Sequence, residues 1–411
     1  MEKSSSGFKK FLLLWAGELI SSIGGGLTSF GLAVYVFNET GSAASMAVVS
    51  LLAFLPTLIL SAPAGVLADR YDRRLLMMIG DGLSGVGILY ILICMIGGHA
   101  SLTQICIGVS ISSIFSALLE PSYRATVTDI LTKEEYSKAS GMVSLAGSAR
   151  YLISPMLAGL LLAVSDIKLL LVIDICTFVV TVTTTLVVKR GIVGKEIINR
   201  DSFLSSFKDG WKAITEKRGV FVLIIMSSVV TCFMGTFQIL AEPMVLDFSD
   251  STTLGIVETV CACGMLVSSL ILGIKGIKSG YAKVLSISLA FSGVTMAAFG
   301  LKQNVYLMCA AGFLFFAALP FTNNCLDYLA RTNIPDEKQG RAWGLIGFLS
   351  QLGYVVAYGL SGILADGLAG KLERSVGIGS AYVVMISGGL LVLTAIALSL
   401  MSSVKELEGK N

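Results

Sequence analysis

Apolar runs of about 20 residues, separated by short clusters of charge, glycine, proline and asparagine, fill this chain from end to end. A helix crossing a hydrocarbon layer roughly 30 Å thick needs about that many apolar residues, so the pattern predicts one membrane-spanning helix per run. The first six fall at 11–37, 45–66, 75–96, 102–126, 139–164 and 169–188. Six more follow at 219–245, 253–273, 283–301, 305–328, 341–365 and 379–402. The longest polar stretch, 189–218, lies near the midpoint. It divides the chain into an N-terminal six-helix bundle (1–188), a linker and a C-terminal six-helix bundle (219–411). Phe203, Phe207, Trp211 and Ile214 recur there at helical spacing beside Lys208, Lys212 and Lys217, as an amphipathic helix on a membrane surface would have them.

The two halves also echo one another. Ala139-Ser140-Gly141 returns as Ala342-Trp343-Gly344, Ala158-Gly159-Leu160-Leu161 as Ser361-Gly362-Ile363-Leu364, and Lys133-Glu134 as Asp336-Glu337, all at one offset of 203 residues. A parallel repeat of a six-span unit explains that offset. The expected fold is therefore an all-α integral membrane protein whose twelve transmembrane helices form two pseudo-symmetric six-helix bundles.

Composition narrows the function. Of 411 residues, 55% are hydrophobic and 14% charged, with a mean hydropathy of +0.83. Soluble chains carry about 25% charged residues, so a soluble enzyme is excluded. Of 30 Lys and Arg, 24 fall in alternate inter-span segments. The positive-inside rule then puts both termini in the cytoplasm, with a bacterial inner membrane the expected location. The first ten residues, MEKSSSGFKK, lead into an apolar run with no small-residue cleavage site and read as the start of an uncleaved span. A net charge of +3 without a basic, aromatic-interleaved run argues against nucleic acid as a partner. The eight cysteines lie in or near apolar stretches and read as reduced packing residues. With His99 as the single histidine, a His-based zinc site or catalytic triad has no material, and no metal or other cofactor is expected. The phosphate-binding loop of an ATPase is missing, since Gly273–Ser279 lacks the Gly-Lys pair, and there is no G-x-S-x-G nucleophile element.

The sharpest local signal is the segment Gly65-Val66-Leu67-Ala68-Asp69-Arg70-Tyr71-Asp72-Arg73-Arg74 between the second and third spans. Gly65 permits close helix approach, Asp69 can cap or pair at a helix end, and Arg70, Arg73 and Arg74 supply forked donors that can latch neighbouring helices. Asp81, seven residues past the segment, is expected to contact Arg73 or Arg74. The segment resembles the loop motif G-x-L-A-D-R-x-G-R-R of the major facilitator superfamily, with Asp72 where the family usually has Gly. The second-half equivalent, Gly273 to Tyr281, keeps Gly273, Lys275 and Lys278 but lacks the acid. Leu14-Trp15-Ala16-Gly17, Thr40-Gly41-Ser42-Ala43 and Phe54-Leu55-Pro56 add a resemblance to the macrolide-efflux branch of the drug:proton antiporters. Ser154-Pro155-Met156-Leu157-Ala158-Gly159 is similar to the superfamily's antiporter element G-P-x-x-G-G, with Ser154 and Ala158 replacing glycines. Pro155 bends such a span and the small residues let helices close on it.

Charges within spans cost about 2.5–3.5 kcal/mol each unless they face a cavity or partner. They are Glu18, Asp81, Glu120, Arg124, Arg150, Asp174, Glu242 and Glu258. The resemblance implies that spans one, four, seven and ten line a central cavity, which assigns Glu18, Glu120 and Glu242 to substrate or proton coupling and Asp174 to gating or proton relay. Arg150, about 16 Å into its span, needs a carboxylate, and Glu120 is the expected partner. Tyr123, Tyr151, Phe237, Asn323, Asn324 and Tyr328 are further cavity candidates. The expected activity is export of an amphipathic, macrolide-like small molecule by a monomer in a lipid membrane, driven by the proton motive force through alternating access. Export of a siderophore or natural product, or movement of a lysolipid, is the alternative within the fold. A non-transporting receptor or scaffold, the alternative outside it, would make the cavity carboxylates dispensable.

Overall fold

The computed structural model describes residues 2–132, 135–189, 211–212 and 214–408. Twelve helical spans among the described residues are long and apolar enough to cross a membrane, and no strand occurs among those residues. The chain forms two compact units, Met1–Thr40 with Val48–Ile198 (unit 1) and Gly41–Ala47 with Asn199–Asn411 (unit 2). Most of the expected linker, with Phe203, Phe207 and Lys208, lies outside the described residues. Of its remainder, Ile214 is buried and Trp211 meets Phe221 edge-on, ring centres 6.3 Å apart.

The first six spans are built from α1 (Glu2–Thr40), α2 (Ala43–Arg70), α3 (Arg73–Ile96), α4 (Leu102–Ser116), α5 (Leu119–Ile130), α6 (Tyr136–Leu152), α7 (Ser154–Val164) and α8 (Ile167–Lys189). The fourth and fifth spans are each broken in two, just ahead of Pro121 and Pro155. Proline lacks an amide proton and suits the first turn of a helix, so both second halves restart there. Pro56, Pro63, Pro243 and Pro320 remain inside continuous helices.

Unit 2 contains α9 (Arg218–Leu246), α10 (Ser251–Lys275), α11 (Tyr281–Phe299), α12 (Val305–Asn333), α13 (Asp336–Leu372), α14 (Val376–Leu400), the short α15 (Ser402–Lys405) and a 3-10 turn, Glu406–Glu408. Starts are fixed by polar side chains on orphan amides: Asp250 accepts from Thr253 N at 2.8 Å, Asn304 from Leu307 N at 3.0 Å and Ser375 from Ile378 N at 3.4 Å. In unit 1, Ser101 and Gln104 close a reciprocal capping box at α4.

The helix pairing repeats between the units. In unit 1, α1 packs on α8 and α6, and α3 packs on α4 and α8. The equivalent spans of unit 2 do the same: α9 packs on α14 and α13, and α11 packs on α12 and α14. Close approach relies on glycine at particular crossings. Gly17, Gly24 and Gly31, seven residues apart on one face of α1, leave no room for a Cβ against Thr184, Thr177 with Asp174, and Leu170 of α8.

Candidate functional site

In unit 1, α8 turns a polar stripe inward: Asp174, Thr177, Thr181 and Thr185 are all buried and recur at three- or four-residue spacing on one face. Since α8 packs on both α1 and α3, this stripe brings the acids of three helices together. Asp174 is 1% exposed and Asp81 of α3 is 4% exposed, while Glu18 of α1 is half-buried. Asp81 has Glu18, Asp174 and Thr181 as electrostatic neighbours. Glu18 in turn neighbours Glu120, and Asp174 neighbours Arg150. Thr177 Oγ1 donates to the Asp174 carbonyl at 2.7 Å and stands 3.3 Å from its Oδ1.

Several expectations are corrected here. Glu120 does not pair with Arg150. Its Oε1 takes Nε and Nη2 of Arg124, one turn along the same helix, at 2.9 and 2.8 Å, a spacing that needs no tertiary contact. Arg150 instead donates from Nη2 to Ser29 Oγ at 2.7 Å. Asp81 contacts neither Arg73 nor Arg74, because its helix face turns it to α8. Tyr123 belongs to a buried cluster with Leu14, Met77 and Val188. Phe237, 3% exposed, is core in unit 2, its ring 4.6 Å from Phe315 and 4.7 Å from Phe299. Tyr328 stacks on Tyr281 at 3.7 Å and, like Tyr151, Asn323 and Asn324, is exposed. Glu242 of α9 and Glu258 of α10 are half-buried electrostatic neighbours of one another, a pairing of like acids not apparent from their spacing in the chain.

The latch segment is built at the α2–α3 turn. Arg73 Nη1 meets Asp129 Oδ2 at 2.6 Å, and the same side chain donates to the carbonyls of Ala68 and Ala125 at 3.2 and 3.3 Å. Arg74, 3% exposed, reaches the same carboxylate at 3.9 Å. Asp129 was missed in the sequence, although its place at the end of the fourth span puts it at the same membrane face as the arginines. Asp72 has φ −60° and ψ 111°, ordinary extended backbone, so an acid stands where the family has Gly without strain. It caps α3 by accepting from Arg74 N at 3.0 Å and pairs with Lys189 Nζ at 3.4 Å. Partial burial opposes its charge, but the Arg74 amide and the Lys189 ammonium outweigh that and hold its carboxyl below the usual range. Asp69 and Arg70 are exposed, and a Cβ at Gly65 would meet nothing within 4 Å, so the close approach expected at Gly65 is not made.

At the fifth span, α6 ends at Leu152 and α7 begins at Ser154. Ser154 Oγ donates to Ile23 O of α1 at 3.0 Å, and Gly26 opposite has no room for a Cβ. Ser154, Pro155, Ala158 and Gly159 are all buried. No group of three or more metal-ligating side chains occurs among the described residues.

The sequence profile of the Major Facilitator Superfamily matches residues 14–249 and 231–411. Macrolide efflux protein A of Streptococcus pyogenes is 25% identical over 417 residues, which covers 100% of each chain. The protein of that name from Enterococcus faecalis is 25% identical over 310 residues, covering 74% of this chain and 95% of its own. Among solved structures, the nucleoside transporter NupG has this fold, with a TM-score of 0.76 at 13% identity over 95% of this chain and 98% of its own.

Proposed function

The chain belongs to the Major Facilitator Superfamily, and from that premise we propose that it exports amphipathic, macrolide-like compounds across a bacterial cell membrane in exchange for protons. The observation that carries this reading is the set of acids within the spans of unit 1, buried Asp81 and Asp174 with half-buried Glu18, in a chain similar over its whole length to a macrolide efflux protein. Ionisable groups inside spans are costly and are retained where they bind or relay ions. Energy comes from the proton motive force, with no cofactor, and both termini face the cytoplasm. Glu120, exposed on unit 1 beside Arg124, offers a carboxylate to a cationic drug, while Glu18 and Asp174 lie deeper and take the proton. Alternating access couples the two events, with the Arg73–Asp129 contact latching one state.

The test uses everted membrane vesicles acidified inside, with a trapped pH dye whose dequenching follows proton exit on addition of a macrolide. Dequenching is expected in the wild type and lost in Asp174→Asn and Glu18→Gln. Silence toward every macrolide, with a response to siderophores or lysolipids, would reassign the substrate. Full macrolide-driven proton movement in both variants would sink the assignment of the proton to this set.

A further inference from the structure

We infer that Arg150 and Ser29 form an anion-recognition point on unit 1, which takes the carboxylate or phosphate of an amphipathic molecule. The inference deepens the export reading and rests on it for the role of that molecule as cargo. Macrolides are amines without an acid group, and this point extends the substrates to zwitterionic and acidic amphiphiles.

The first argument is exposure without a counter-ion. Arg150 stands midway along the fifth span, Lys138–Val164, and is exposed there. At that depth its side chain cannot reach either membrane surface, and hydrocarbon would leave its donors unmet, so it faces a water-filled space. Its hydrogen bond goes to an uncharged group, with Nη2 donating to Ser29 Oγ at 2.7 Å. The Ser29 proton is itself directed to the Gly25 carbonyl at 2.8 Å, so the hydroxyl meets Arg150 with a lone pair. Arg150 enters no ion pair among the described residues, whereas Glu120 and Arg124 are matched to each other at 2.8 Å. Asp174 is an electrostatic neighbour, but its carboxylate lies against Gly24, and Ser29 is five residues on, about 140° round α1.

The second argument is that the guanidinium is held in place. Both α6 and α7 pack on α1. A Cβ at Gly26 would fall 3.1 Å from the Arg150 carbonyl oxygen and would collide with the Ser154 side chain, and Ser154 Oγ donates to the Ile23 carbonyl at 3.0 Å. The backbone of Arg150 is thus pinned to α1, and Ser29 fixes the far end of its side chain. An arginine so placed loses little freedom on binding, and with one of its five N–H donors used it keeps a fork for both oxygens of a carboxylate.

A third observation is room. Gly25 lies one turn before Ser29 on α1, and Gly147 one turn before Arg150 on α6, so each shares the face of its polar neighbour. A Cβ at either would meet nothing within 4 Å. A role for Arg150 confined to bracing α6 on α1 needs neither the exposure nor this clear space, since Ser154 and Gly26 make that brace already.

The test is calorimetric binding to the purified full chain in a neutral maltoside detergent, with fusidic acid, an amphipathic carboxylate, against its methyl ester. The wild type is expected to bind the acid about tenfold or more tightly than the ester. Arg150→Gln is expected to abolish that preference with the ester affinity and the size-exclusion profile unchanged, and Arg150→Lys, which keeps the charge but loses the fork, to retain part of it. Equal affinity of the wild type for acid and ester, or a preference that survives Arg150→Gln, overturns the inference, as does a wild type that holds neither the acid nor phosphatidylglycerol. Native mass spectrometry distinguishes the sources of the oxyanion: phosphatidylglycerol retained by the wild type and lost from Arg150→Gln makes the ligand a lipid headgroup, and no difference between the two leaves it to the free acid. If the acid binds through Arg150 yet vesicles move no drug, the export reading fails while the anion site stands.

Discussion

Between α1, α3 and α8 of unit 1 lie Glu18, Asp81, Asp174 and a ladder of threonines. Between α9, α11 and α14, the same three spans of unit 2, lie Phe237, Phe299 and buried Ser292, Thr295 and Met296, and neither α11 nor α14 contains an acid. The repeat has kept which helices pair and changed what fills the seams. Unit 2 fills its seam with ring packing and backbone contact, and two of its acids, Glu242 of α9 and Glu258 of α10, neighbour one another. Unit 1 instead holds ionisable groups where membrane proteins otherwise avoid them. On the proposed reading, the proton-coupling groups lie in the unit 1 seam, and the matching seam of unit 2 is filled by rings and small side chains.

The comparison breaks most sharply at glycines. A Cβ at Gly293 would fall within 3 Å of the Gly388 carbonyl and the Val392 amide, which are backbone, and Gly388 faces Gly293 in the same way. A Cβ at Gly24 would meet the Thr177 hydroxyl and the Asp174 carboxylate, which are side chains. Gly293→Leu is expected to yield no monodisperse peak in size-exclusion chromatography. Gly24→Ala is expected to fold, since side chains can turn aside, but to lose proton coupling. Equal behaviour of the two would remove the distinction between scaffold and site. Next in size, Phe237→Ala empties the ring cluster with Phe299, Phe315 and Phe316 and should cost about 3 kcal/mol in a thermal-shift or denaturant assay. Asp129→Ala leaves Arg73 and the buried Arg74 without their carboxylate, at about 2 kcal/mol. High salt should shrink the second loss and leave the first unchanged, because only the latch is electrostatic.

The twelve spans were legible because apolar length is the membrane's own selection rule, and the bend of the fifth was expected at Pro155; the break of the fourth ahead of Pro121 was not, since proline alone does not mark one, as Pro56, Pro63, Pro243 and Pro320 inside continuous helices show. Asp174 and Glu18 were legible as charges out of place. Their connection was not, because nothing in the spacing of Glu18, Asp81 and Asp174 reveals that α8 packs on both α1 and α3. Asp81 was drawn toward the arginines by proximity in sequence, whereas helix periodicity turned it to α8. Glu120 was assigned a distant partner while Arg124 stood four residues away, the more economical pairing. Asp129 escaped notice since an acid at a span end carries no signal of its own.

The smallest effect compares the two equivalent turns, α2–α3 and α10–α11. In the first, α3 is capped from within by Asp72, and in the second Gly280 enters α11 at φ +77° with no side-chain cap of its own. There the Tyr281 amide is taken by the carboxylate of Glu408, 127 residues on, and Asn333 Nδ2 ties down the adjoining Leu407 carbonyl at 2.8 Å. A local cap survives whatever happens elsewhere in the chain, and a distant one is lost with the segment that supplies it. Asp72→Ala and Glu408→Ala should each cost about 1 kcal/mol, but removal of residues 402–411 should reproduce only the second. Asp72→Asn, which keeps a capping oxygen, should stay within about 0.5 kcal/mol of the wild type. The pH dependence has a definite sign: because the folded Asp72 carboxyl lies below its ordinary 3.8, the charge-dependent part of its contribution is full above that value and is lost as pH falls through the folded one. The gap between wild type and Asp72→Ala should therefore hold constant from neutral pH down to about pH 5 and narrow in stronger acid only by the part that Asp72→Asn also lacks. A gap that closes near neutrality would mean that another group supplies the cap.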